Sequence, residues 1–164
     1  MPDCIVQPWT PEVGPAAIAL VLDIQQRELG VPITLADQPD LADVARAYFV
    51  NAGGFWVARE GDDVVGTIAL LDDGGGAPAL RKMFVRADRR GRAFGVAQRL
   101  FDALLAHARA RSLPQLTLGT RPEMHAAHRF YERNGFVRIG EADLPATFPR
   151  MKLDSVFYRL DLAR

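Results

Sequence analysis

The sequence predicts a mixed α/β fold, one sheet covered by helices on both faces. Two observations carry that expectation. Leu80–Leu105 reads as a strand, a basic Gly-containing turn and then a long amphipathic helix. On either side of it, strand-like and helix-like stretches follow one another with no linker and no internal repeat.

Taken in order, Cys4, Ile5 and Val6 give a short first strand, broken by Pro8 and Pro11. From Pro15 the period turns helical, with Ile18, Val21, Leu22 and Leu29 on one stripe, stopped by Gly30 and Pro32. Asp40 is placed to cap a second helix whose face holds Leu41, Val44, Ala45, Tyr48 and Phe49, and Gly53-Gly54 ends it. Phe55–Arg59 and Val64–Leu71 flank a polar turn and read as a hairpin. After the loop Asp72–Gly76, Ala79–Val85 continues the sheet as the third strand of a meander. On the long helix, Ala97, Leu100, Phe101, Leu104, Leu105 and Ala108 share one face. Gln115–Gly119 is the next strand. Thr120 and Glu123 stand at capping-box spacing before a helix over about 123–134 that ends at Gly135. Phe136–Ile139 is a strand, Leu144–Arg150 an irregular apolar loop, and Val156–Leu162 closes the sheet.

The junction after Ala79–Val85 carries the first chemical signal. A helix start leaves about four backbone N–H groups without partners, at the positive end of the helix dipole. Gly91 and Gly95 keep side chains away from that backbone, and Arg89, Arg90 and Arg92 add positive charge. The junction suits a phosphate or pyrophosphate. A tight turn with solvated arginines is the alternative. It lacks the G-x-G-x-x-G of a dinucleotide fold and the G-K-S/T of a Walker A loop, which disfavours both classes.

Composition bounds the rest. The 164 residues suggest one domain across 1–164, with 49% hydrophobic and 24% charged residues. Net charge is zero, so no global field favours nucleic acid or a membrane surface. The run RADRRGR lacks interleaved aromatics, which also argues against nucleic acid. Cys4 is the only cysteine, so no intrachain disulfide forms and a reducing compartment fits. The stretch MPDCIVQPWTPEVG has no apolar run of the kind a leader needs, and Ala16–Leu22 is too short to span a bilayer. The expectation is a cytoplasmic protein without a membrane partner.

The stretch AAHRFYERNGF, Ala126 to Phe136, taken with the junction, resembles the GNAT family of N-acetyltransferases. Arg90-Gly91-Arg92-Ala93-Phe94-Gly95 takes the family's turn pattern, and Ala127, Phe130, Tyr131, Gly135 and Phe136 take its tyrosine-helix pattern. Ala93 replaces the turn's first glycine and Met124 the asparagine that opens the second pattern. The resemblance implies a mostly antiparallel twisted sheet of six to seven strands, in which a central parallel pair, Ala79–Val85 and Gln115–Gly119, splays apart. It implies acetyl-CoA in that gap, its pantetheine arm against the backbone of Met83, Phe84 and Val85. The pyrophosphate would sit on the turn from Arg90 through Gly91, Arg92, Ala93, Phe94 and Gly95 to Val96. An amine acceptor, small molecule or peptide, attacks the thioester directly. Tyr131 supplies the proton for the departing thiolate, and a backbone N–H at the bend of Met83–Val85 holds the oxyanion. A homodimer is left open.

Tyr131 is also readable as a core aromatic, since it shares a helical stripe with Ala127, Phe130 and Asn134. The general base is not legible. Some family members carry a glutamate at the end of the strand before the tyrosine helix, and the matching residue here is Gly119. Glu123 and His125 lie nearby as solvated helix-start residues or bases; a water relay or an acceptor arriving neutral are equal alternatives. His125, His128 and Glu132 share a helical face, but no further ligand cluster joins them, so no metal is expected. Leu144, Pro145, Phe148 and Pro149 are expected to wall the acceptor side, together with the segment 30–40. The rival function is a non-catalytic acyl-CoA-binding or sensor module.

Overall fold

The computed structural model describes residues 3–151 and 153–162. Met1 and Pro2, which open the stretch inspected for a leader, lie outside the described residues. Side chains along the second strand explain why helices must cover both faces of the sheet. Phe55 and Val57 are fully buried in one cluster, with Ala17, Leu20 and Tyr48. Trp56 and Ala58, one residue out of phase, are buried in the other, with Leu100, Phe101 and Leu104. A strand buried on both sides needs a helical layer on each.

Seven strands form one sheet: β1 (Cys4–Pro8), β2 (Gly54–Glu60), β3 (Asp63–Leu71), β4 (Ala79–Val85), β5 (Gln115–Thr120), β6 (Val137–Ile139) and β7 (Val156–Asp161). Their order is β1-β2-β3-β4-β5-β7-β6. Every neighbouring pair is antiparallel except β4–β5, so the expected mixed, mostly antiparallel sheet with a central parallel pair is present. The helices are α1 (Gly14–Asp23), α2 (Pro39–Ala42), α3 (Val44–Tyr48), α4 (Val96–Ala110) and α5 (His125–Arg133).

Four local expectations are corrected. Pro8 does not break β1, because an edge strand tolerates a residue without an N–H; Pro8 pairs with Trp56. The first helix leaves the α pattern at Ile24 and finishes as a π-turn, Ile24–Glu28, with Leu29 N donating to Ile24 O at 2.8 Å. The second helix is two short ones. Asp43 interrupts it, and its carboxylate accepts from Arg46 N at 3.3 Å as the cap of α3, while Asp40 lies inside the first turn of α2. Thr120 forms no capping box: it ends β5 in register with Val156, and α5 starts without a side-chain cap.

The central pair splays as the resemblance implied. β4 and β5 meet in register only at Ala79 and Thr117, and then part. The departure coincides with a bulge. Lys82 has φ +53°, the β3–β4 register shifts between Thr67 and Ala69, and Thr67 Oγ1 donates to Lys82 O at 2.7 Å. A non-glycine residue at positive φ is costly and persists only where neighbours hold it. Thr67, fully buried, is one such neighbour.

Candidate active site

Beyond the splay, the chain after Val85 turns into α4 through residues 86–95. Two glycines shape this turn. Gly91 (φ +102°) and Gly95 (φ +66°) occupy the left-handed region, and a Cβ at Gly91 would meet open space. Ala93 has no positive φ, so alanine is accommodated where the family pattern has glycine. The helix proper begins at Val96, directly after Gly95.

The amides of the turn divide into two sets. Phe94 N and Gly95 N both donate to Gly91 O at 3.2 Å and are used internally. Gly91, Arg92, Ala93, Val96, Ala97 and Gln98 have no backbone acceptor for their amides among the described residues. Ala97 and Gln98 therefore join the anion-binding candidates, and Phe94 and Gly95 contribute shape instead of donors. Arginine charge is also redistributed. Arg89 Nε donates to Glu60 Oε2 at 2.7 Å, and its guanidinium lies 5.7 Å from the Phe94 ring centroid. Arg90 Nε donates to Val85 O at 2.8 Å while its two terminal nitrogens hold Glu28. That pairing keeps the Glu28 carboxyl below the usual glutamate range. What Arg90 offers a ligand is position, and Arg92 is the arginine here without an ion pair among the described residues.

Helix α5 ends in a Schellman arrangement: Gly135 has φ +92°, and Phe136 N donates to Tyr131 O at 3.0 Å. Phe136 is folded back onto Phe101, 5.8 Å between centroids, which fixes α5 against α4. Tyr131 is 6% exposed and packs on Phe136 and Tyr158 at 5.6 and 5.8 Å. The core-aromatic description of Tyr131 thus holds for its ring. Its hydroxyl makes no hydrogen bond with the described residues, while that of Tyr158 donates to Glu132 Oε2 at 2.7 Å. Burial, followed by the charge of Asp154, pushes the Tyr131 phenol well above its ordinary value, so it carries its proton at any physiological pH.

The residue that sequence reasoning missed is Asp154. A Cβ built on Gly119 would lie 2.5 Å from Asp154 Oδ2, so the aspartate occupies the space in which a side chain at 119 would begin. Asp154 sits on the segment entering β7, and β7 is the antiparallel neighbour of β5, with Gly119 opposite Phe157. The carboxylate is half-buried, and burial raises its pKa above the ordinary aspartate value. Among the described residues it accepts one hydrogen bond, from Met151 N at 3.3 Å. No sequence signal marks it, because its relation to Gly119 exists only across a strand pair.

Asp154 lines a cavity of about 160 Å³ with Gly119, Arg81, Lys82, Phe148 and Met151. Phe148 and Pro149 reach this cavity as expected, whereas Leu144 and Pro145 do not. Its far wall is a buried polar network. Gln25 and Gln38 exchange hydrogen bonds at 2.9 and 3.1 Å, and Lys82 Nζ donates to Gln38 Oε1 at 2.6 Å and lies 3.5 Å from Asp40 Oδ2. Tyr48 donates to the same Asp40 oxygen at 2.5 Å. Burial lowers the Lys82 pKa, and Asp40 works against that drop. His125 and Glu123 are not in this cavity; His128 Nε2 is 2.9 Å from Arg121 O, and Glu123 pairs with Arg121. No group of three or more His, Cys, Asp or Glu among the described residues could hold a metal ion. Among the same residues no helix is long and apolar enough to cross a membrane.

A seven-stranded sheet opened at one parallel pair, with an amide-lined turn at one end and a carboxylate and phenol at the other, has clear relatives. The family model of the GNAT acetyltransferases matches residues 19–136. A GNAT-family acetyltransferase from Staphylococcus aureus Mu50 superposes with a TM-score of 0.90 at 30% identity, covering 98% of this chain and 99% of that one. An acetyltransferase from Streptococcus agalactiae 2603 gives 0.89 at 28% identity, covering 97% and 98%. Among curated proteins, N-acetylaspartate synthetase of Danio rerio is 32% identical over 126 residues, 74% of this chain and 44% of that protein. The chain spans about half the length of the curated relatives it matches. The chain belongs to the GNAT family of acetyltransferases.

Proposed function

We propose that the protein moves an acetyl group from acetyl-CoA to a primary amine by direct attack within a ternary complex. The observation that carries this is the open gap between β4 and β5 beyond Ala79 and Thr117, with Asp154 over Gly119 on one side and Tyr131 beside it. Strands that part leave the β5-facing edge of β4 around Met83–Val85 for an amide-containing arm, as in the addition of an extra strand, with Val85 O already accepting from Arg90 Nε. The unpartnered amides of Gly91, Arg92, Ala93, Val96, Ala97 and Gln98 fit a pyrophosphate. A structure of an N-acetyltransferase from Thermoplasma acidophilum in complex with coenzyme A, at TM-score 0.73 and 10% identity, shares the fold.

In the proposed chemistry Asp154 is the general base. It accepts a proton from the acceptor ammonium, a role suited to a carboxylate whose burial has raised its proton affinity. The amine lone pair then forms the C–N bond at the thioester carbonyl, the C–S bond breaks with its electron pair on sulfur, and the second ammonium proton leaves the new amide nitrogen through solvent, replacing the proton that Tyr131 gives to sulfur. Tyr131, held protonated and without another acceptor, donates its proton to that sulfur. A backbone N–H at the Lys82 bulge polarises the carbonyl oxygen. The rival, an acyl-CoA-binding module without turnover, requires no proton acceptor in the cleft, and Asp154 argues against it.

The test combines two measurements. Saturating acetyl-CoA is expected to raise the melting temperature, and an amine panel with a thiol-release readout is expected to reveal turnover. Binding without release from any amine supports the non-catalytic module. Absence of any thermal shift with coenzyme A or acetyl-CoA overturns both.

A further inference from the structure

We infer that the acceptor is a small amine that also carries a carboxylate, bound with its nitrogen at Asp154 and its anion at Arg81. The inference rests on the acetyltransferase function proposed above and concerns the acceptor half of the same site.

The argument starts from charge balance in the cavity. Three charged side chains line it: Arg81, Lys82 and Asp154. Lys82 is already matched by Asp40 at 3.5 Å. Arg81 and Asp154 are not in an ion pair with each other or with any other group among the described residues. Arg81 spends one Nη2 donor on the carbonyl of Pro149, which seats the guanidinium against the loop before β7. Its guanidinium also lies in hydrogen-bonding reach of the Tyr48 hydroxyl, and the face left toward the cavity is that of a half-buried guanidinium, which favours a planar oxyanion over water. A cation and an anion that face one cavity, close enough for Arg81 to act on the Asp154 charge yet with no ion pair among the described residues, are complementary to a zwitterion set between them.

Position separates this cation from the acetyl-donor end. Arg81 precedes the Lys82 bulge, whereas the anion-binding turn follows Val85 at the opposite end of β4. Phe84, Phe148 and Met151 complete the lining with apolar surface. The cavity of about 160 Å³ suits a compact acceptor. Acetylation also removes the positive charge. The product then faces Asp154 with no counter-charge of its own, which promotes its departure.

The test compares, with acetyl-CoA and a thiol-release readout, a panel of free amino acids, their carboxamides and the matching decarboxylated amines. At least one free amino acid is expected to exceed its carboxamide and its amine by about 10-fold or more in kcat/KM, the scale of a lost charged hydrogen bond. In Arg81→Gln and Arg81→Met that ratio is expected to fall to within about 2-fold. The melting temperature shift with acetyl-CoA, measured on both variants, reports whether they are folded and competent at the donor end. Carboxamides or simple amines used as well as the acids overturn the inference while leaving the acetyltransferase function intact. So does a discrimination that survives both Arg81 variants, or turnover confined to peptides. No thermal shift with acetyl-CoA in the unaltered protein marks failure of the underlying function instead.

Discussion

The two ends of the β4–β5 gap are built by different means. The end proposed to bind the pyrophosphate is one contiguous segment, residues 86–98, which offers backbone amides and whose shape depends on two glycines at positive φ. The end proposed to take the acceptor draws on four separate parts of the chain: Gln25 in the π-turn after α1, Gln38 and Asp40 around α2, the Lys82 bulge in β4, and Asp154 before β7. Its donors and acceptors are side chains. Backbone donors in a short segment bind what every member of a class shares, and tolerate changes of side chain. Side chains gathered from distant segments can be exchanged one at a time, which is how acceptor choice changes on a fixed scaffold.

That contrast is best tested by breaking each end separately. The largest effect is expected from Asp154→Asn, which removes the base: kcat falls about 10²-fold or more while KM for acetyl-CoA stays within about 2-fold. Loss of acetyl-CoA binding in this variant would mean that the two ends are not separable. A carboxylate returned from the neighbouring strand sharpens the point. Gly119→Glu in an Asp154→Ala background is expected to recover roughly 10-fold of the lost rate, since the two side chains compete for one space. The pH profile follows in sign. The base works deprotonated, so kcat/KM falls as pH drops through the raised Asp154 pKa, and this acidic limb disappears in Asp154→Asn.

Tyr131→Phe comes next, with kcat expected to fall roughly 10- to 10²-fold. Because the hydroxyl has no partner among the described residues, the melting temperature should hold; a large drop would reassign Tyr131 to the core alone. At the other end, Gly95→Ala forces alanine to φ +66°, at about 1–2 kcal/mol of stability. KM for acetyl-CoA should rise several-fold, about the share of one misaligned helix start, with acceptor KM unmoved. The smallest effect belongs to the half-exposed Arg90–Glu28 pair, worth at most about 0.5–1 kcal/mol after solvent screening. The folded Glu28 pKa is depressed, so the stabilisation is present above the unfolded value and is lost as pH falls through the folded one. Melting curves of wild type and Glu28→Gln should differ at neutral pH and converge in acid.

The same division explains what the sequence disclosed. All seven strands and the helix-covered faces were readable, because period and breaks are local properties of the chain, and the splayed pair followed from the family resemblance that the two motifs carry. Boundaries slipped where tertiary context outweighed local rules: Pro8 survives on an edge, and α1 closes as a π-turn. At the turn, the glycines were found but their reason is conformational as much as steric, and Phe94 and Gly95 spend their amides inward. The Lys82 bulge was invisible because lysine gives no hint of positive φ; buried Thr67 holds it. Asp154 escaped for a related reason. Its meaning depends on Gly119, thirty-five positions earlier by subtraction of the residue numbers and adjacent only across the β5–β7 ladder.

The empty side chain at 119 has a consequence for how such proteins are compared with one another. An acidic group can reach the same cleft from either of two paired strands. Aligned column by column, a switch between them is recorded as one deletion of function and one unrelated acquisition. Compared by location in three dimensions, nothing has been lost, and proteins dismissed for lacking an acid in the customary column regain their standing as working enzymes.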